Sequence, residues 1–324
     1  MRLLSIVVPV FNEEESLNLL ADQIRSSMEQ ANLSFEVRFI DDGSRDSSWL
    51  CIQEIAKSDS RFHGTRFRRN FGKAAALGYG FLHCKGDRIA MMDADLQDDP
   101  AELPSMIAML DEGLDLVSGW KQKRNDPWHK VFPSRVFNRM ISFLTGVNLH
   151  DHNCGIKVCR AEVTKEIPLY GELHRFIPVL AASRGFRIGE KVVAHRARPF
   201  GVSKYGATRF VRGFLDLLTV TFMTRYSRRP QHFLGGIGLG CFFSGLAVLA
   251  YLGFTWIVRF WNPDAYLPLH ERPLLIYGLA ALLLGAQFLS IGFLAEMIAA
   301  GQLAPIQTPS IRENSGTETE RSDS

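Results

Sequence analysis

Along the first half of the chain two hydrophobic rhythms take turns. Apolar, β-branched runs at LSIVVPV (4–10), FEVRFID (35–41), FHGTRF (62–67), RIAMMD (88–93) and DLVSG (115–119) predict five strands. Amphipathic stretches with helix-start signals lie between them. NEEES opens a helical pattern over about 13–31, its carboxylates placed for a helix N-terminus, and SRDSS (44–48) caps a helix over roughly 47–58. FGKAAALGYGFLHC (71–84) reads as a third helix, and Pro100 starts a fourth. The βαβα order predicts an α/β domain: a Rossmann-like, mostly parallel sheet with helices on both faces. In such sheets ligands bind beyond the carboxyl ends of the strands.

The pattern changes near Phe233. Residues 236–258 and 273–295 carry no charge, and each run is about 23 residues, enough to cross roughly 30 Å of hydrocarbon as a helix. A pair of buried core helices is the other reading. Gly236, Gly240 and Ser244 fall on one face of the first run, and Ala281 and Gly285 on one face of the second. Such faces let helices approach closely, so a hairpin packed on itself is expected, and a homo-oligomer is a second use of the same faces. Lys204, Arg209, Arg212, Arg225, Arg228 and Arg229 precede the first run, whereas the link 259–272 holds Arg259 and Arg272 beside Asp264 and Glu271. The positive-inside bias then puts residues 1–232 and the C-terminus on the cytoplasmic side of the inner membrane. The expected plan is a catalytic domain over 1–205, a juxtamembrane amphipathic segment over 206–232, two spans within 233–300, and a Ser/Thr/Glu-rich disordered tail over 301–324.

Composition adds little. A formal net charge of +3 is too mild for a nucleic-acid binder. Five cysteines, an odd number without a C-x-x-C, argue against a disulfide framework and for a reducing compartment. The N-terminal apolar run is short and meets Asn12 and three glutamates, which is not a secretory signal.

The candidate chemistry sits at strand ends. AMMDADLQDDP (90–100) closes an apolar strand with carboxylates. Asp93 and Asp95, spaced i, i+2, would point the same way on an extended backbone. Hard oxygen donors without His or Cys suit Mg²⁺ or Mn²⁺, which completes its shell with diphosphate oxygens and water; a solvated acidic loop is the other reading. Asp41 and Asp42 end the second strand, where a carboxylate could accept from a base amide or ribose hydroxyl, or form a turn and cap. Arg69, Asn70, Phe71, Gly72 and Lys73 open a helix and read as an anion site or a basic solvated turn. Lys121, Lys123, Arg124, Lys130, Arg135 and Arg139 form a second basic set, and VFPSRVFNRMISFLTG (131–146) reads as a membrane-surface helix or a core helix. His195, Arg196, Arg198, Ser203, Lys204 and Tyr205 form a third, suited to a lipid phosphate or to anionic lipids generally.

Six stretches in order and spacing, SIVVPVFNEEESL, FIDDGSRDSS, RRNFGKAAAL, MMDADLQDDP, DHNCGIKVCR and HRARPFGVSKYG, together with the two terminal runs, resemble the polyprenyl-phosphate branch of the family-2 glycosyltransferases of GT-A fold. That branch includes dolichol-phosphate mannose synthases and bactoprenol glucosyltransferases, and the likeness covers about residues 3–300. The resemblance implies that Pro9, Asn12 and Glu13 line a nucleotide pocket, with Asp41 or Asp42 near uracil or ribose. It implies that Asp93 and Asp95 hold the divalent cation and that Gln97 lies near the donor sugar. Arg124 and Arg135 would face phosphates, and Arg196, Ser203 and Lys204 would handle phosphate near the acceptor. Where relatives often carry Arg or a hydroxyl residue after the fifth strand, this chain has Trp120-Lys121.

The implied partners are a nucleotide-diphosphate sugar, a polyprenyl (undecaprenyl) phosphate and the membrane, with glucose from UDP-glucose as first choice. GDP-mannose, UDP-N-acetylglucosamine and an aminoarabinose derivative stay open. A phosphate-monoester nucleophile has a second pKa of about 6, so it needs no strong base, and single displacement predicts inversion. Asp151, opening D-H-N-C-G, is the candidate base or acceptor-positioning group, or else a turn or helix cap. Two rival functions are a processive polysaccharide synthase, whose Q-x-x-R-W motif this chain lacks, and a non-enzymatic nucleotide-binding membrane scaffold.

Overall fold

The computed structural model describes residues 3–122, 128–194, 196, 208–226, 229–263 and 266–306. The contacts divide it into two units, one running to Thr224 and the other from Arg225.

The first unit is built on a seven-stranded sheet: β1 (Leu3–Val10), β2 (Ser34–Asp41), β3 (Phe62–Arg66), β4 (Arg88–Met91), β5 (Leu116–Trp120), β6 (Lys157–Arg160) and β7 (Ile188–Val192). The order is β3-β2-β1-β4-β6-β5-β7. Neighbours pair in parallel except at β6, which runs antiparallel to both β4 and β5. The mostly parallel sheet is as expected, and all five anticipated strands are present. β6 and β7 are additions. β6 has four residues, too few for a periodic signal, and β7 (IGEKV) is a half-exposed edge strand with a polar pattern.

Both faces of the sheet are covered, because alternate side chains of each buried strand point opposite ways. Leu4, Ile6, Val8 and Val10 pack against α1 (Leu17–Gln30), α2 (Ser48–Ser58) and α4 (Leu103–Asp111) through Leu20, Ile24, Ile52 and Met106. Val7 and Ile40 face the opposite layer. There α3 (Lys73–His83), α5 (Trp128–Thr145), α6 (Ala161–Glu166), α7 (Ile177–Ser183) and α8 (Thr208–Thr221) contribute Leu77, Ile141, Val163, Leu180, Leu217 and Val220.

Two local expectations are corrected. The first helix begins at Leu17, so Glu13, Glu14 and Glu15 precede it. Asn12 is left-handed (φ 55°), and the Glu13 and Glu14 amides bond to Ser48 and Asp46, which holds this stretch as a turn. β4 ends at Met91, so Asp93 and Asp95 lie in a turn closed by Leu96 at φ 62°. In 131–146 the core-helix reading holds on one side, where Ile141 and Asn138 are buried, while Val136 and Phe143 are exposed.

In the second unit α9 (Pro230–Trp261) and α10 (Leu274–Ile306) pack along each other, and each is long and apolar enough to cross a membrane. α10 carries helix through 301–306 of the expected tail, and the rest of the tail lies outside the described residues. The close approach uses Gly285, as anticipated, but on the first helix Gly238 and Gly245 in place of Gly236 and Gly240. A Cβ on Gly245 would stand 2.7 Å from the Gly278 carbonyl, and one on Gly238 would stand 3.0 Å from that of Gly285, whereas Gly236 and Gly240 meet nothing within 4 Å. A helix presents one stripe to its neighbour, and here it is offset from the 236/240/244 stripe by about half a turn.

Candidate active site

Because β6 alone is reversed, its N-terminal end lies on the edge where the parallel strands have their carboxyl ends. That edge therefore gathers residues following β1, β2, β3, β4 and β5 with the Asp151–Ile156 segment that enters β6.

On the β1–β3 side the turns are tied to each other. The Asn12 N–H donates to Ser44 Oγ at 2.9 Å, and Asn12 Oδ1 accepts from the Arg45 N–H at 2.8 Å. The Glu13 N–H donates to Ser48 Oγ at 2.9 Å, and Pro9 sits half-buried in β1. Asp41 is fully buried, accepting from the Ser44 N–H at 2.8 Å with Arg66 Nε 3.1 Å from its other oxygen. Asp42 accepts from the amides of Phe71 and Gly72 at 2.7 and 2.9 Å. Burial raises the Asp42 pKa against these two bonds, and Asp41 adds to the rise. Gly43 (φ 74°) allows the two loops to touch: a Cβ there would stand 2.6 Å from the Arg69 backbone.

Two amides that the sequence offered to a ligand anion are thus held by Asp42, since a buried carboxylate without donors is costly. What remains open is a cavity of about 580 Å³ whose lining includes Phe11, Arg45, Arg66, Arg68, Arg69 and Asn70. The Arg69 guanidinium lies 4.4 Å over the Phe71 ring. Guanidinium and aromatic walls suit a flat base and its phosphates.

On the β4–β6 side is an acidic crevice with a lysine collar. Lys73, the first residue of α3, pairs with Asp93. Lys121, just past β5, pairs with buried Asp98 at 2.8 Å. Lys157, at the start of β6, is buried and donates to the Cys154 carbonyl. Burial alone would raise the Asp93 carboxyl, but Lys73 foremost, with Lys121, holds it down at about 2. Burial lowers Lys121, yet Asp98 more than reverses this; Lys157 is pushed down by burial. Burial also pushes His152 down to about 4 and His174 well below the usual imidazole range, so both are neutral at pH 7. Gly155 closes the crevice: a Cβ there would stand 2.9 Å from Asp93 Oδ2 and closer still to Asp98 Oδ2. Two carboxylate oxygens therefore converge where a side chain is missing.

The carboxylate that converges with Asp93 at Gly155 is Asp98. Asp95, half-buried, accepts from the Gln97 N–H at 3.2 Å within the turn, which removes the extended i, i+2 premise. The Gln97 carbonyl accepts from the Arg196 N–H at 3.2 Å, while the Arg196 guanidinium pairs with Asp99 and donates to Gln23 at 3.1 Å. Asp151 is buried and accepts from the Asn153 N–H at 3.2 Å, as a turn residue does. Its own N–H donates to Glu190, which also accepts from His150, and Trp120 stacks on the His150 ring at 4.0 Å. Arg135 lies on the exposed side of α5. Arg124, Ser203 and Lys204 lie outside the described residues, as do Lys123, His195, Arg198 and Tyr205.

Sequence reasoning passed over Asp98, Gly155, Lys157 and Glu190. Asp98 lay in the D-D-P that follows the first acids, and Gly155 and Lys157 lay in DHNCGIKVCR, but no signal gave any of them a role. Gly155, Lys157 and Glu190 are assembled by β6 and β7, which the pattern did not predict.

The donor set fits a hard divalent cation. Among the described residues no three His, Cys, Asp or Glu gather as a closed cage. One or two carboxylates at an open crevice suit Mg²⁺ or Mn²⁺, which fills its other positions with phosphate oxygens and water.

A profile described as Glycosyl transferase family 2 matches residues 5–168. A dodecaprenyl-phosphate galacturonate synthase of Rhizobium johnstonii is 40% identical over 301 residues, 91% of this chain and 87% of that protein. An undecaprenyl-phosphate 4-deoxy-4-formamido-L-arabinose transferase of Aeromonas hydrophila is 32% identical over 92% of this chain and 88% of its own. Among solved structures, glucosyl-3-phosphoglycerate synthase from Mycobacterium tuberculosis, in complex with Mn²⁺, UDP-glucose and glycerol 3-phosphate, superposes with a TM-score of 0.50 at 18% identity, covering 69% of this chain and 80% of that one. Mannosyl-3-phosphoglycerate synthase from Rubrobacter xylanophilus gives 0.54 at 15% identity, over 68% and 74%. At such identities the two structures speak for the fold alone.

Proposed function

The chain belongs to glycosyl transferase family 2 and is a glycosyltransferase, and on that premise we propose that it transfers a sugar, with inversion, from a nucleotide diphosphate to a polyprenyl phosphate at the cytoplasmic face of the inner membrane. The observation that carries this reading is the juxtaposition at one sheet edge. The loop Phe67–Gly72 borders the arginine-lined cavity, and Lys73, next in the chain, reaches the Asp93 crevice. A nucleotide in the cavity would thereby have its diphosphate at the acids. The two long apolar helices and the names of the relatives support the lipid acceptor.

Asp93 with Asp95 would hold the cation, Mg²⁺ or Mn²⁺, with Asp98 behind them. Its chemistry there is to neutralise charge developing on the departing diphosphate. The chain's own residues do the rest. Arg66, Arg68 and Arg69 bind the anionic donor, and neutral His174 and buried Lys121 keep the crevice dry and polar. Asp151, held from behind by Glu190, positions the acceptor phosphate rather than taking a proton, because that phosphate is already largely ionised at pH 7. Arg196, anchored on Asp99, offers the acceptor a cation beside Gln97. Bringing two polyanions into line this way is orientation catalysis, of the order of several kcal/mol.

UDP-glucose is the donor expected from the resemblance. The relative at 40% identity favours a second, a nucleotide-linked galacturonate. The test incubates the full-length protein in membranes with polyprenyl phosphate and radiolabelled UDP-glucose, UDP-galacturonate, GDP-mannose and UDP-N-acetylglucosamine in turn. Label should enter the lipid fraction from one of them and be lost with Asp95→Ala. No lipid-borne label from any donor, or wild-type turnover by Asp95→Ala, overturns the reading.

A further inference from the structure

We propose that Lys73 is a stand-in for the divalent cation: it holds Asp93 in the metal-free protein and passes to the donor's diphosphate when cation and donor bind together. The proposal rests on the metal reading above and adds to it a second role for one side chain.

The three ammonium groups of the collar are not equivalent. Lys157 is buried, and Lys121, 14% exposed, faces an Asp98 that is 1% exposed. Lys73 and Asp93 are instead 32% and 36% exposed, so this pair sits at the mouth of the crevice with a path to solvent. The backbone under Lys73 is fixed. Asp42 grips the amides of Phe71 and Gly72, and Gly72 turns at φ 94° into α3. The side chain, by contrast, has a flexible four-carbon stem. The anchor is therefore rigid, and the long stem lets the head group reach more than one position.

Charge then forces a choice. An ammonium and a divalent cation on the same carboxylate repel strongly at contact distance. A cation taking an Asp93 oxygen must displace Lys73. The displaced head needs an anion, and the diphosphate arriving with the cation supplies one within reach of the Arg69–Asn70 loop that precedes it. In the metal-free protein the same lysine spares Asp93 an uncompensated charge. Two consequences have opposite signs. Lys73 weakens binding of the cation alone, because it competes. It strengthens the mutual effect of cation and nucleotide, because only their joint arrival gives it a new partner.

Full-length protein in detergent is titrated with Mn²⁺, free Mn²⁺ being read by electron paramagnetic resonance, with and without UDP. Lys73→Met should bind Mn²⁺ alone about fivefold more tightly than the wild type. The gain in Mn²⁺ affinity brought by UDP should shrink about tenfold in the same variant. Lys73→Arg keeps the charge and should restore both toward wild type. Lys73→Gln, polar and uncharged, serves if Lys73→Met fails to fold. Mn²⁺ binding alone that is unchanged or weaker in both neutral variants overturns the handover while leaving the metal site standing. Absence of Mn²⁺ binding by the wild type, with or without UDP, overturns the metal site and the handover together.

Discussion

Two pairs of aspartates stand at the ends of β2 and β4, the strands on either side of β1, and are satisfied in different ways. Asp41 and Asp42, after β2, are met by three backbone amides and by Arg66. Asp93 and Asp98, after β4, are met by the ammonium groups of Lys73 and Lys121. Amides cannot leave without unfolding a loop, so the first pair is architecture: it joins two loops and shapes the cavity. A side-chain ammonium at a crevice mouth can leave, so in the second pair Asp93, with Lys73, is poised for exchange with another cation, while Asp98 stays buried behind it. Burial alone does not tell a structural acid from a functional one; the mobility of its partner does.

The sharpest test exchanges the two roles. Asp93→Asn should lower sugar transfer about a thousandfold and remove Mn²⁺ binding. Asp42→Ala should lower stability by about 2 kcal/mol by orphaning two amides, read as a fall in Tm, while Mn²⁺ still binds. Equal loss of Mn²⁺ binding in both variants would erase the distinction.

A smaller effect should come from Gly155→Ala. Its methyl would push against both crevice carboxylates, and a displacement of about 1 Å costs up to about a hundredfold in rate. Transfer kinetics with unchanged Tm would show that the crevice, not the fold, had moved; an unaffected rate would remove Gly155 from the site.

The smallest contrast is in pH. Asp93 is held at about 2, below the ordinary value near 3.8, so its contribution to stability is complete above about 3.8 and is lost as pH falls through about 2. Asp42 is raised, so the folded chain holds that proton more tightly than the unfolded one, and its contribution falls as pH rises from the ordinary carboxylate value to the raised one. Tm against pH should therefore flatten on the acid side in Asp93→Asn. In Asp42→Asn it should rise more steeply with pH just above the ordinary carboxylate range. Changes of slope of the same sign in both variants, relative to the wild type, would contradict the assigned causes.

Local pattern determined a good deal. Five strands, the helices between them and the two apolar helices follow from periodicity and composition, because each buries a face or a length that its own residues specify. The acids and the Arg69–Lys73 loop were legible for the same reason: they punctuate strand ends, where an α/β sheet binds its ligands. Only the tertiary structure decided which acid meets which cation. β6, four residues long and reversed, carries Gly155 and Lys157 to the binding edge, and β7 brings Glu190 behind Asp151. No local periodicity encodes such meetings. They depend on strand order and direction, which are settled by packing among segments as many as 173 residues apart, as Arg196 and Gln23 are.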